Sequence, residues 1–293
     1  MIRSMLFLPG NTPNMLINAT YLGADAVIFD LEDAVSPDEK DAARVLVRNT
    51  LRYMEFSCER IVRINSVDTD YWCADIDAVL PERPNLILLP KAATSGDVLA
   101  VDRYMAELEK KLGLDIGTVG IIALIETALG LENAFAIAGS CKRVRGLFLG
   151  AEDLTADLQC KRTREGREIE YARMRLVAAA RAAGVEVYDT PFTDVNDEEG
   201  IVADAELAKA LGFTGKASIS PRHINAINKA FSPTLSEIDY AYEVIDAIRI
   251  AKAEGKGAIS LRGKMIDAPI VARAERTIAM ARSLGMERRD KCE

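Results

Sequence analysis

Two acidic positions carry the chemistry that can be read first. Glu126 closes the apolar stretch Ile121-Ile122-Ala123-Leu124-Ile125, and Glu152-Asp153 follows Gly146-Leu147-Phe148-Leu149-Gly150. Each stretch reads as a buried strand that stops at a carboxylate. Strands apolar on both faces belong to parallel sheets, and in a parallel barrel their C-terminal tips face the active site. Two hard oxygen donors on neighbouring tips suit Mg²⁺, which leaves its other positions to water and substrate. Taken singly, Glu126 could cap the helix that follows it, and Asp153 could be the N-cap of Leu154-Thr155-Ala156-Asp157. Their occurrence on consecutive strands favours the metal pair.

A second group of acids, Asp30, Glu32 and Asp33, crowds another strand tip. So many negative charges require a cation or an arginine nearby. Arg63 lies in Val62-Arg63-Ile64-Asn65, within an otherwise apolar strand. It needs a carboxylate partner or an anionic ligand there, and both readings stand. Lys91, after Leu88-Leu89-Pro90, reads as a base, a charge balancer or a rim residue. The chain has one histidine, His223. A histidine-based zinc site is therefore excluded, and a Ser-His-Asp triad would depend on this residue alone. His223 reads as a surface or capping residue, with a phosphate or ligand contact as the other reading. The chemistry must run on carboxylates, arginine, lysine and metal.

The elements that position these residues repeat. Eight short apolar runs occur: Met5–Leu8, Ala26–Phe29, Ile61–Ile64, Leu86–Leu89, Ile121–Ile125, Leu147–Leu149, Val185–Tyr188 and Ala217–Ile219. Each is followed by turn or polar residues, as strands are. Amphipathic segments separate them, the clearest being Asp97–Leu112, Leu129–Ala138, Glu168–Ala183 and Asp197–Leu211. Ser36-Pro37-Asp38-Glu39 predicts a helix start with Ser36 as N-cap and Glu39 closing a capping box. Eight strand–helix units predict an α/β fold, a (β/α)₈ TIM barrel, over residues 1–230. An open doubly wound sheet is the rival, but the glycine-rich dinucleotide turn is absent. Residues 231–293 exceed what one closing helix needs. They read as a long charged helix at Pro233–Gly255, an extended flap at Gly257–Asp267 and a last helix at Pro269–Leu284, a C-terminal lid or oligomerisation extension.

The 293 residues carry a net charge of −8, so there is no basic footprint for nucleic acid. No apolar run approaches a membrane span, and no signal-peptide pattern opens the chain. Cys58, Cys73, Cys141, Cys160 and Cys292 show no Cys-x-x-Cys spacing. Such a scattered, odd set fits a reduced cytoplasmic protein with structural thiols.

Several stretches together resemble the β subunits of citrate lyases, within the HpcH/HpaI aldolase–citrate lyase family. They include Leu8-Pro9-Gly10-Asn11, Phe29-Asp30-Leu31-Glu32-Asp33-Ala34-Val35, Val62-Arg63-Ile64-Asn65 and Leu89-Pro90-Lys91. Ile125-Glu126-Thr127-Ala128, Gly150-Ala151-Glu152-Asp153, Asp194-Val195-Asn196-Asp197-Glu198-Glu199-Gly200 and Gly263-Lys264-Met265-Ile266-Asp267 continue the likeness to the end of the chain. One departure is Ser220, where many CoA-dependent relatives carry a histidine before the proline. The resemblance implies a barrel with a C-terminal lid, Mg²⁺, and a homotrimer in which one lid covers a neighbour's site. It implies cleavage of a citryl thioester, carried on acyl-carrier protein or CoA, to oxaloacetate and an acetyl thioester. Citrate lyase α and γ subunits are the implied partners. By position it implies Glu126 and Asp153 as metal ligands, Arg63 as carboxylate clamp, and Glu32 as a further catalytic group. Pro9, Gly10 and Asn11 join Arg63 and Glu126 in binding substrate, and Asp267 handles a proton from the lid. Alternatives are a stand-alone malyl-CoA or citramalyl-CoA lyase, an aldolase acting on unesterified hydroxy acids, and a non-catalytic binding subunit.

Overall fold

Parallel strands buried on both faces leave their sequence little choice but to close or be covered, and here they close. The computed structural model describes residues 1–253 and 259–286. The expected helix end at 254–255, the flap start at 257–258 and Cys292 lie outside the described residues. Eight parallel strands, β1 (Ser4–Pro9), β2 (Ala26–Asp30), β3 (Glu59–Arg63), β4 (Leu86–Leu89), β5 (Gly120–Ile125), β6 (Val144–Leu149), β7 (Glu186–Asp189) and β8 (Gly215–Ser218), form a closed barrel in sequence order. Around and after them come α1 (Pro13–Asn18), α2 (Lys40–Tyr53), α3 (Trp72–Val79), α4 (Ser95–Leu112), α5 (Ala128–Glu132) and α6 (Ala134–Ala138). They continue with α7 (Ala151–Asp157), α8 (Glu170–Ala183), α9 (Glu198–Leu211), α10 (Ile224–Phe231), α11 (Leu235–Ala253) and α12 (Ala268–Ser283). This is the (β/α)₈ TIM barrel expected from the repeated apolar runs.

Side chains alternate along a strand, so every second residue enters the barrel. Ile28, Ile61, Ile122, Leu124 and Phe148 pack in one interior cluster with Met5, Leu88 and Tyr188. Two residues beyond the last interior side chain comes the next inward position, at the mouth. The step leads from Ile28 to Asp30, from Ile61 to Arg63, from Leu124 to Glu126 and from Phe148 to Gly150. Strand register sets their neighbours: Pro9 pairs with Asp30 across β1 and β2, and Asp30 with Arg63 across β2 and β3.

Two local expectations change. Ser36 and Glu39 do not form a capping box. Pro37–Glu39 is a 3₁₀ turn without a side-chain cap, and the α-helix opens at Lys40. Glu39 Oε2 instead accepts hydrogen bonds from Ser36 Oγ and Asn11 Nδ2. The reciprocal arrangement occurs at α4, where Asp97 Oδ2 accepts from the backbone N–H groups of Ala93 and Thr94. The segment Leu129–Ala138 is two short helices broken at Asn133, whose side chain donates to Ala93 O.

By compactness the chain divides into Ile2–Lys229 and a second unit of Ala230–Glu293 with Met1. Within the second unit α11 and α12 pack through Ala241, Val244, Ala274 and Ile278, with Ile266 of a two-stranded antiparallel hairpin. The hairpin strands are β9 (Ile259–Leu261) and β10 (Lys264–Ile266).

Candidate active site

The mouth of the barrel encloses a cavity of about 450 Å³. Its apolar wall comes from Phe7, Leu124, Phe148 and Ile219, and its charged wall from Asp30, Arg63, Glu126 and Asp153. A concave site with an apolar floor and a few convergent charges is where a small ligand binds.

Glu126 is 3 % exposed at the end of β5. Its Oε1 accepts the main-chain N–H of Lys91 at 2.7 Å. It does not cap the next helix; Thr127 does, through its Oγ1 and Gly130 N. Gly150 makes room for it, because a Cβ there would lie 2.6 Å from Glu126 Oε2. Asp153 is likewise not an N-cap. It is the third residue of α7, whose N-cap is Gly150; Glu152 and Asp153 both line the cavity, Asp153 half-buried and Glu152 exposed. Burial, then the negative charges of Glu32 and Asp153, push the Glu126 carboxyl up to about 8. A buried carboxylate among like charges is costly without a counter-ion. Glu126 and Asp153 thus fit a hard divalent cation by donor type and by unbalanced charge. Among the described residues no group of three or more His, Cys, Asp or Glu is arranged to hold a metal.

Arg63 answers the acidic crowd at β2. Its Nε and Nη2 grip Asp30 bidentately at 2.7 and 2.6 Å. Nη1 lies 3.1 Å from Glu32 Oε2 and 3.5 Å from Asp33 Oδ2, and Phe7 stacks 5.1 Å from the guanidinium. One edge of the fork is therefore held by an ion pair, and Nη1 is the remaining edge. Asp30 also accepts the N–H groups of Glu32 and Ala34, which folds the loop back on itself. Lys40 Nζ donates to the carbonyls of Leu31 and Glu32, and Asn65 Nδ2 to Leu31 O and Asp75 Oδ2. The sequence reading assigned no part to Lys40 or Asp75. Lys91 Nζ meets Glu32 Oε1 at 2.8 Å. Burial alone would lower the lysine, but Glu32, Asp33 and Glu126 outweigh it and raise it. Among the residues expected to bind substrate, Pro9 lines the cavity, while Gly10 and Asn11 do not. Asp267 belongs to the C-terminal unit, where it is exposed and caps α12, its Oδ1 accepting Ile270 N–H at 3.3 Å.

His223 corrects the surface reading. It is 1 % exposed, its ring 6.2 Å from that of Phe192, and neither nitrogen has a well-formed hydrogen bond. Burial lowers its pKa. A further group was missed entirely. Lys216, fully buried in β8, donates to Asp189 Oδ2 at 2.6 Å and to Thr190 O at 2.7 Å, and Arg173 grips Asp189 and Asp204. Thr190 lines the cavity, and its Oγ1 accepts Ala151 N–H at the start of α7.

The family profile of HpcH/HpaI aldolase/citrate lyase matches residues 3–221. The citrate lyase subunit beta of Leuconostoc mesenteroides subsp. cremoris is 44 % identical over 95 % of this chain and 93 % of its own. A (3S)-malyl-CoA thioesterase of Cereibacter sphaeroides is 35 % identical over 96 % of this chain and 95 % of its own. The Mycobacterium tuberculosis protein CitE, solved in complex with magnesium, acetoacetate and coenzyme A, superposes with a TM-score of 0.79. It is 31 % identical, covering 95 % of this chain and 97 % of that one. No described helix is long and apolar enough to cross a membrane.

Proposed function

Because the chain belongs to the HpcH/HpaI aldolase/citrate lyase family, we propose that it is a Mg²⁺-dependent citryl-thioester lyase, the β subunit of a citrate lyase. It splits citryl carried on acyl-carrier protein, or on CoA, into oxaloacetate and an acetyl thioester. It works in the cytoplasm as a homotrimer, beside α and γ subunits. The observation that carries this reading is the buried Glu126 beside Asp153, facing Arg63 across one cavity. Its greater likeness to a citrate lyase subunit beta than to a malyl-CoA thioesterase supports the citryl substrate.

The reaction is a retro-Claisen cleavage. The tertiary hydroxyl loses its proton and the adjacent carbon–carbon bond breaks. The bond's electrons pass to the carbon next to the thioester carbonyl, giving an enolate that takes up one proton at that carbon to become the acetyl methyl. Glu126 and Asp153 hold the cation; when bound, Mg²⁺ acidifies the hydroxyl and stabilises the forming keto acid. Arg63 orients a substrate carboxylate from Nη1, which it shares with Glu32 and Asp33 while Asp30 holds Nε and Nη2. Glu32 receives the hydroxyl proton through Oε2, which is buried beside Arg63 without a hydrogen-bond partner. Phe7, Leu124 and Phe148 exclude water from the enolate. Asp267 returns a proton to it from a second copy of the chain; its carboxylate is exposed at the head of α12. The test is calorimetric titration with oxaloacetate, a product. Binding that requires Mg²⁺ and is lost on chelation is expected, and Mg²⁺-independent binding overturns the reading.

A further inference from the structure

Lys91 stands in an unusual conformation. Its φ is +51°, a left-handed backbone that glycine adopts freely and lysine only with strain. Strain of this kind persists where the surroundings use it. Here the twist turns two groups of one residue onto two different carboxylates. The main-chain N–H meets Glu126 Oε1 at 2.7 Å, and the ammonium meets Glu32 Oε1 at 2.8 Å.

We propose that Lys91 is a positioning residue that limits the protein's cation ligands to two, fixing Glu126 with its main chain and withholding Glu32 with its side chain. The inference rests on the reading of Glu126 and Asp153 as cation ligands. Glu32 is the carboxylate withheld, buried outside the residues that line the cavity. It is 5 % exposed, its charge is felt by Glu126, and its Oε2 has no hydrogen-bond partner. Arg63 Nη1 and Lys91 Nζ are the cations that hold it. A third carboxylate would tighten the cation and occupy a position that the substrate's hydroxyl and carboxylate require. With the ammonium in place, Glu32 stays off the cation and keeps an oxygen free to accept a proton.

The main-chain and side-chain roles can be separated, because Lys91→Gly keeps the backbone conformation and its N–H while removing the ammonium. Mg²⁺ alone is titrated calorimetrically into the full chain, and then oxaloacetate at saturating Mg²⁺. Lys91→Gly is expected to bind Mg²⁺ about tenfold tighter and oxaloacetate at least about tenfold weaker. Adding Glu32→Gln to Lys91→Gly should return the Mg²⁺ Kd to within about threefold of wild type, since the freed ligand is gone. A general structural disturbance would weaken both ligands and would not be reversed by the second change. Unchanged or weaker Mg²⁺ binding in Lys91→Gly overturns the proposal, as does a double variant that stays tight. If Lys91→Gly does not fold, Glu32→Gln alone decides: a Mg²⁺ Kd within about threefold of wild type supports withholding, and a tenfold loss means Glu32 already ligates. Glu126→Gln is the control for the underlying reading. If it binds Mg²⁺ like wild type, the two-ligand site falls and this inference with it. If it loses Mg²⁺ while Lys91→Gly does not tighten, only this inference falls.

Discussion

At the scale of single residues, the site depends on a few carboxylates with little tolerance for displacement. Glu126→Gln and Asp153→Asn should each abolish turnover while thermal melting stays cooperative, because each would remove one of the two proposed charged donors. Gly150→Ala tests the same point from the backbone. A Cβ 2.6 Å from Glu126 Oε2 must displace the carboxylate, and activity should fall by roughly 10²-fold at unchanged secondary structure. Wild-type rates in Gly150→Ala would mean that Glu126 need not sit where it does. Arg63→Lys keeps the charge and loses the fork; the expected fall is roughly 10²-fold, and normal kinetics would reduce Arg63 to the ion-pair partner of Asp30. Asp30, Arg63 and Glu126 were legible because each stands two residues past an interior position of an apolar strand, whereas Asp153 lies in the first turn of the helix that follows β6. His223 was misread because polarity was taken for exposure. Its helical neighbours Ile224 and Ile227 are 1 % and 0 % exposed, so the spacing His223, Ile227 already marked the inward face.

At the scale of elements, the rule that exposed Arg63 should also have exposed Lys216 in Gly215-Lys216-Ala217-Ser218. It was passed over because β8 is short and the lysine precedes the expected strand start. With Arg173, Asp189 and Asp204 it ties β7 and β8 to α8 and α9. Lys216→Met leaves buried carboxylates uncompensated and should cost about 3–5 kcal/mol by denaturant unfolding. Burial would raise the Asp204 carboxyl, but Lys216 and Arg173 outweigh it and hold it below its ordinary value. Such a group stabilises the fold above its unfolded pKa, and that stability is lost as pH falls through the lowered folded value. The melting-temperature gap between wild type and Asp204→Asn should therefore be constant near neutrality and narrow below about pH 4. A gap independent of pH down to acid denaturation would contradict the assignment. Helix starts were less legible than strands: Ser36 and Glu39 have the residue types of a capping box, yet Pro37 opens a 3₁₀ turn, and the equivalent reciprocal bonds lie at Thr94 and Asp97.

At the scale of the whole molecule, the barrel was legible because one signal recurs eight times, so an error in any one strand leaves the count intact. The C-terminal unit offers no such repetition, and two roles of Asp267 must be separated, a helix cap and an acid acting on another chain. The cap is present. Mixing separates the roles. Asp267→Asn and Glu126→Gln should each be inactive, and verified mixed oligomers of the two should regain a fraction of wild-type turnover. No recovery argues against action between chains, and near-normal activity of Asp267→Asn alone leaves only the cap. The central claim, that this barrel mouth cleaves a citryl thioester through a divalent cation, is tested most directly by turnover. Purified protein with Mg²⁺ is assayed on carrier-bound citryl, citryl-CoA, malyl-CoA and citramalyl-CoA. A citryl-thioester lyase should give oxaloacetate from the citryl thioesters, with higher kcat/KM for these than for malyl-CoA or citramalyl-CoA, and should lose turnover reversibly in excess chelator. Preference for malyl-CoA or citramalyl-CoA, or undiminished citryl cleavage in chelator, would contradict it.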